Sequence, residues 1–359
     1  MSRSRYVATV LALAITAAIS PQAIPERFVD VLDTPAQMTP LAPKSVMQAV
    51  VRAGSRLVAV GQRGHIVVSS DNGATWKQSP VPVSSDLTAV YFVDAKLGWA
   101  VGHDGVVLHT GDGGDTWKLQ LDGRKVNALL LADMMRKVDA DPASDAAKKL
   151  LAEIERYQEQ GPDKPFLDVW FADASNGYVV GAYNLIFRTS DGGATWTPWF
   201  DRTENPKFFN LYAIRPVGED LYIAGESGLL LKLDVPAERF TALKVDYTGS
   251  FFGVAAANAS VLAFGLRGNV YRSDDAGASW VKVEAGLSSA VVAAVRTARD
   301  ATLLADAGGR VAITEDGGRT FTKVPLKQSA PMAGLAEAGE GRLAFAGPRG
   351  VAVTETTSP

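Results

Sequence analysis

The apolar residues of this 359-residue chain fall into short runs, closed by Gly and Asp, that recur in sets of four. The set is clearest in its second copy. It runs Leu87-Thr-Ala-Val-Tyr-Phe-Val-Asp94, Leu97-Gly-Trp-Ala-Val-Gly102, Val106-Val-Leu-His109 and Thr116-Trp-Lys-Leu-Gln120. The third copy repeats it as Phe166-Leu-Asp-Val-Trp-Phe-Ala-Asp173 and Asn176-Gly-Tyr-Val-Val-Gly181. Four such runs broken by turn residues predict a four-stranded antiparallel sheet folded as one blade.

Between the third and fourth runs lies an eight-residue phrase that occurs five times. Its pattern is S/T-x-D-x-G-x-T/S-aromatic, the Asp-box or BNR repeat. Asp and aromatic residue are Asp71 and Trp76, Asp112 and Trp117, Asp191 and Trp196, Asp275 and Trp280, and Asp316 and Phe321. A carboxylate can accept the N–H groups of a tight turn, Gly supplies positive φ, and the Ser/Thr hydroxyls close the same turn. The ring buries between neighbouring sheets. Each part has a structural job, so the boxes are expected to be hairpin staples.

A Gly-x-x-Gly phrase lies eight residues upstream of each box, with variants at Gly181–Asn184 and Asp306–Gly309. Two further copies, from Gly225 and Gly347, have no good box. The seven phrases start at 61, 102, 181, 225, 265, 306 and 347. Their spacing is 41, 79, 44, 40, 41 and 41 residues, which is seven units with one insertion. A period of this length is the signature of a repeat architecture. The prediction is an all-β, seven-bladed β-propeller over residues 24–359.

The insertion, residues 122–165, separates the second and third units. Val126–Val138 and Ser144–Gln160 read as helices broken at Asp141-Pro142, with Ser144 as a cap. Ala147, Leu150, Leu151, Ile154 and Tyr157 form one apolar stripe on the second helix. Two readings of the pair stand open. The helices bury each other against the propeller wall, or part of the Leu/Met surface, with Leu130, Met134 and Met135, docks a partner.

The last unit ends soon after Val351 and lacks an outer strand. Arg27-Phe-Val-Asp-Val-Leu-Asp33 resembles the strands after the boxes, such as Trp280–Val283. Residues near Phe28–Leu32 are therefore expected to complete the last blade and remove its open edges.

Arg3, Arg5 and the apolar run Tyr6–Ala18 mark residues 1–23 as a signal peptide, with a retained anchor as the alternative. The chain has no cysteine, so disulfides and thiol chemistry are excluded. Net charge is −3, which does not favour a nucleic-acid partner. His65, His103 and His109 show no ligand spacing, and neither a metal nor a cofactor is expected.

In an antiparallel blade the turn between the second and third strands shares an end with the blade-to-blade connection. The helical insertion is therefore expected on the face of the Gly-x-x-Gly turns, opposite the Asp-boxes. Arg63, Arg267, Arg310 and Arg349 lie in those turns, on units one, five, six and seven, which become consecutive once the ring closes. Units two, three and four carry Asp104, Tyr183 and Glu226. Guanidinium groups suit bidentate contact with carboxylates or phosphates.

The phrase L-x-x-V-x-F-x-D-x-x-x-G-W/Y-x-V-G followed by an Asp-box resembles the photosystem II stability/assembly-factor-like propellers. Leu87–Gly102 matches it almost fully and Phe166–Gly181 nearly so; the resemblance covers roughly residues 28–355. It implies a non-enzymatic, exported factor, in the periplasm or a thylakoid lumen. Such a factor holds a membrane-protein or envelope complex through an arginine-rich patch, associates peripherally with the membrane and is a monomer by itself. The helical insertion departs from the plain seven-blade pattern. A sialidase-like or other Asp-box glycoside hydrolase is the alternative. It requires paired carboxylates, for which Asp104 and Glu226 are the candidates on that face.

Overall fold

The computed structural model describes residues 29–356. The proposed signal segment and Phe28 lie outside the described residues. Seven antiparallel sheets occupy residues 47–78, 87–121, 166–198, 211–242, 251–283, 291–324 and 334–355, here blades 1 to 7. Among the described residues, six have four strands and blade 7 has three. The chain is thus an all-β, seven-bladed propeller.

The second strand of each blade is its most apolar. Gly98–Gly102 and Gly177–Gly181 are buried at every position. A strand covered on both faces reads as a continuous apolar run rather than an alternation. Trp99 stacks on Phe171 of the next blade, with ring centroids 3.5 Å apart, and donates Nε1 to the carbonyl of Gly192 at 3.2 Å. The G-W-x-V-G phrase thereby joins one blade to the box of the next.

All five boxes have one geometry. In the first, the Ser69 hydroxyl donates to Asp71 Oδ1 at 2.7 Å and accepts the N–H of Gly73 at 2.8 Å. Asp71 Oδ1 also accepts the Thr75 N–H at 2.9 Å, and Oδ2 accepts the Thr75 hydroxyl at 2.5 Å. The same bonds recur around Asp112, Asp191, Asp275 and Asp316. These contacts hold Asp71 and Asp275 at a pKa of about 2, with the Thr75 and Ser279 hydroxyls as the largest causes.

The insertion is a helical hairpin, α1 (Gly123–Ala140) and α2 (Asp145–Gln160). Asp122 caps α1 by accepting the Lys125 N–H, and Ser144 caps α2 by accepting that of Ala147. Val126, Leu130, Met134, Ile154 and Tyr157 join a core cluster with Trp99, Phe166 and Phe171. Lys137 bridges Asp133 and Asp201 at 2.7 Å each, tying α1 to the chain leaving blade 3. Leu130 and Met134 are fully buried, so as they stand they cannot dock a partner. The apolar stripe of α2 packs on α1, with Ile154 and Tyr157 buried in the same cluster, and of the three named residues only Met135 is exposed, at 50%.

The expected closing strand is also corrected. The described part of that segment does not pair with blade 7. The Ser84 N–H donates to the Val31 carbonyl, and Leu32 is buried with Val81 and Val83 beside blades 1 and 2. Arg124 of α1 holds Asp33 with two bonds of 2.9 and 2.8 Å and pairs with Asp30 at 2.9 Å. An apolar residue and two carboxylates found better partners on the hairpin side than an edge strand would provide. Face packing closes the ring instead. Ala336 and Ala344 of blade 7 cluster with Val50 and Leu57 of blade 1.

Candidate functional site

In blades 1 to 5 the Gly-x-x-Gly turn is a single helical turn whose third residue is left-handed. Arg63, Asp104, Tyr183, Ser227 and Arg267 have φ between 53° and 59°. That conformation is uncommon outside Gly. The turn is held by groups just ahead of the next blade. The Arg63 N–H donates to Asp86 at 2.8 Å and that of Tyr183 to Asn210 at 2.9 Å. Such bonds fix the backbone and leave the third side chain at the tip of the turn. The fourth position cradles the connection to the next blade. A Cβ on Gly64, already at φ 69°, would lie 2.2 Å from the Val83 carbonyl oxygen.

The two departures from the phrase keep this function by other means. Asn184 donates Nδ2 to the Phe200 carbonyl and accepts from Thr203 and Asn205, gluing down the chain that leaves blade 3. Asp306 stands where the other turns begin with Gly. Its carboxylate accepts the N–H groups of Ser288, Ser289 and Arg310, which orders the entry to blade 6 and the start of its own turn.

Arg63, Arg267, Arg310 and Arg349 are all exposed. None of them makes an ion pair among the described residues. Arg310 donates to the Ser288 hydroxyl. The four lie on blades 5, 6, 7 and 1, which the closed ring makes neighbours. Leu266, beside Arg267, is 38% exposed and adds apolar surface. His65 lies behind Arg63, and burial first, then the Arg63 charge, lowers its pKa.

The helical hairpin emerges on the same end, over the opposite arc. Gly123 packs on the turn of Asp104 and Gly105, and the Tyr157 hydroxyl donates to the Tyr183 carbonyl at 3.1 Å. Lys164 is buried beneath Tyr157 and Tyr183, its ammonium 5.0 and 5.9 Å from their ring centroids. Tyr183 itself is half exposed. The boxes lie at the other end of each blade, so Asp71, Asp112, Asp191, Asp275 and Asp316 are remote from this face.

The carboxylates considered for hydrolysis are not brought together. Asp104 belongs to blade 2 and Glu226 to blade 4, where Glu226 accepts the Asn210 N–H at 3.3 Å. Neither lines the central channel, a cavity of about 540 Å³ between the innermost strands. The carboxylate on its wall is Asp168, paired with Arg215 and bonded to the Ile214 N–H at 2.8 Å. Burial raises the Asp168 pKa, and the Arg215 charge opposes that shift. This pair joins blades 3 and 4 across 47 residues, and nothing in the local sequence signals it.

Fold and turn face together define a class: a seven-bladed Asp-box propeller with an arginine-bearing end and one helical hairpin. The chain belongs to the photosynthesis system II assembly factor YCF48 family, whose profile matches residues 49–127 and 154–317, more than half of the 359 residues. It is 30% identical over 166 residues to the photosystem II assembly lipoprotein Ycf48 of Synechococcus sp. (strain CC9902), covering 45% of this chain and 50% of that protein. The chain thus spans about half the length of that relative. A solved structure of YCF48 bound to D1 peptide superposes with a TM-score of 0.61 at 14% identity, covering 88% of this chain and 95% of that one. A streptogramin B lyase structure superposes with a TM-score of 0.62 at 9% identity, with the same two coverages. At such identities the likeness establishes the fold alone.

Proposed function

We propose that this chain is a non-enzymatic, exported assembly or accessory factor. It holds an acidic segment of a membrane-protein or envelope complex against its arginine-bearing face. The observation that carries this reading is the run of four exposed arginines, without carboxylate partners among the described residues, on blades 5, 6, 7 and 1. Such a surface steers an acidic partner and can grip it bidentately. The relatives support the reading, since one is an assembly lipoprotein and another was solved with a peptide bound.

Residues 1–23 act as a signal segment, and the compartment is the periplasm, or a thylakoid lumen in a photosynthetic organism. The protein is a monomer by itself and associates with membranes only through its partner. It takes no nucleic acid and no cofactor. Met135 and Tyr183 supply exposed apolar surface on the hairpin side of the same face.

The test is a triple Arg63/Arg267/Arg349→Glu variant. It is expected to melt like the parent and to lose co-purification with its membrane complex. Retention of that complex at low and high salt would show the arc to be ordinary surface. Cleavage of a sialoside or β-glucan by the purified protein would replace this reading with an enzymatic one.

A further inference from the structure

In blades 1 to 6 the innermost strand carries a β-bulge at the same place, directly after its first residue. The extra residues are Gln48, Thr88, Leu167, Tyr212, Phe252 and Val292. A bulge re-aims the side chain it adds. All six line the central cavity of about 540 Å³, and all six are half-buried. They form its mouth at the arginine-bearing end. Asp86, Asn210 and Ser250, which accept the N–H groups of the Arg63, Tyr183 and Ser227 turns, stand two residues ahead of Thr88, Tyr212 and Phe252.

The ring is not uniform. Gln48 and Thr88 make it polar on blades 1 and 2, while Leu167, Tyr212, Phe252 and Val292 make it apolar on blades 3 to 6. Tyr212 and Phe252 meet edge to face, with ring centroids 5.3 Å apart. The Thr88 hydroxyl donates to the Val101 and Phe166 carbonyls. The Tyr212 hydroxyl and the Gln48 amide make no hydrogen bond among the described residues. Deeper in the channel the charges are matched, Arg215 with Asp168 and Arg296 with Asp300. The apolar arc also abuts the arginines. Phe251, next to Phe252, pairs with Gly265, where the Arg267 turn begins. Val291, next to Val292, pairs with Asp306, whose carboxylate accepts the Arg310 N–H.

We infer that the channel mouth seats one bulky apolar side chain of the partner's acidic segment, against Tyr212 and Phe252, while carboxylates of the same segment lie on the arginines around it. This rests on the reading of the arginine face given above and adds the apolar half of the recognition. A few anchor side chains in well-packed pockets carry most of the energy of such contacts, and a polar rim surrounds them. The positive rim selects an acidic chain over a neutral apolar molecule. The Tyr212 hydroxyl and the Gln48 amide are placed to bond main-chain groups on either side of the anchor.

The experiment immobilises the full chain and selects from a phage-displayed library of random heptapeptides. The selected sequences are expected to combine Asp or Glu with one bulky apolar residue at a fixed distance. The most frequent of them, made as a free peptide, is then measured by calorimetry. It is expected to bind about tenfold more weakly to a Tyr212→Ser/Phe252→Ser protein and to a Val292→Trp protein than to the parent. The first variant empties the mouth and the second fills it, so a folding defect in one leaves the other to decide. Acidic sequences with no recurring apolar position, or unchanged binding to both variants, overturn the anchor and leave the arginine reading intact. Apolar sequences without acidic residues, bound equally by the Arg63/Arg267/Arg349→Glu variant, overturn the arginine reading and the acidic occupant with it. No recurring sequence at all overturns the proposal. So does a dimer of the parent in sedimentation that Val292→Trp abolishes, which would assign the mouth to a second copy.

Discussion

Arg52 of blade 1 donates Nε to the main-chain carbonyl of Glu337 in blade 7 at 2.9 Å, across 285 residues of sequence. Its Nη2 donates to Asn72, in the first Asp-box, also at 2.9 Å. One side chain thus joins the two blades where the ring closes and fixes the first box beside them. Among the described residues, closure is a matter of side chains and packed faces rather than a shared strand. Arg52→Ala is expected to cost about 1–3 kcal/mol, since it leaves a half-buried carbonyl without its donor. Chemical denaturation would read this as a lower midpoint with an unchanged slope.

The N-terminal segment makes a different contribution. Removing residues 1–35 is expected to leave the ring closed and to lower stability by about 1.5–3 kcal/mol, the burial of one leucine. That residue is Leu32, packed on Val81 and Val83. Near-ultraviolet circular dichroism should keep its native form. Collapse of the whole fold would show that the segment closes the ring after all.

The hairpin separates core from surface. Leu130→Ala is expected to cost about 2–5 kcal/mol, because it empties a fully buried site between α1 and the wall of blades 2 and 3. Met135→Ala, at an exposed site, should stay within about 0.5 kcal/mol of the parent. Thermal melts of the two variants check this. Equal effects would mean that the helix is rotated from the orientation described.

The boxes make an acid-sensitive contribution of definite sign. Asp71 and Asp275 have folded pKa values of about 2 against an ordinary 3.8. A depressed carboxylate stabilises fully above its unfolded pKa, and that contribution is lost as pH falls through the folded one. A double Asp71→Asn, Asp275→Asn variant should therefore melt below the parent near neutral pH. The gap should close between about pH 4 and pH 2. Thr189→Val removes the buried hydroxyl that accepts the Gly193 N–H, and is expected to cost about 1–3 kcal/mol at any of these pH values.

Much of this was legible in the chain, for reasons that particular residues make clear. The second strands are apolar at every position because both their faces are covered, so phrases such as Gly98–Gly102 stand out. Each box closes through bonds within seven residues, from Ser69 to Thr75, so its geometry is readable locally. Ser144 and the stripe through Ile154 and Tyr157 announced α2 in the same way. What was not legible depends on partners far along the sequence. An amphipathic helix shows that it has an apolar side and not what that side meets, so for Leu130 and Met134 both a core and a docking reading stood open. The run Arg27–Asp33 has the look of an outer strand, yet Arg124 and Val81 drew its described part elsewhere. Arg215 with Asp168, and Arg52 with Glu337, pair across blades and leave no local mark.

The central claim is that the partner is held on the arginine-bearing end and not on the box end. Its most direct measurement is site-specific photocrosslinking in cells. One protein carries the photoreactive residue at Leu266, beside Arg267 and partly exposed, and another carries it at Asn72, in the turn of the first box. The account predicts one discrete membrane-protein adduct from position 266, lost when Arg63, Arg267 and Arg349 are changed to Glu, and no such adduct from position 72. The same adduct from position 72 with none from position 266 would contradict it.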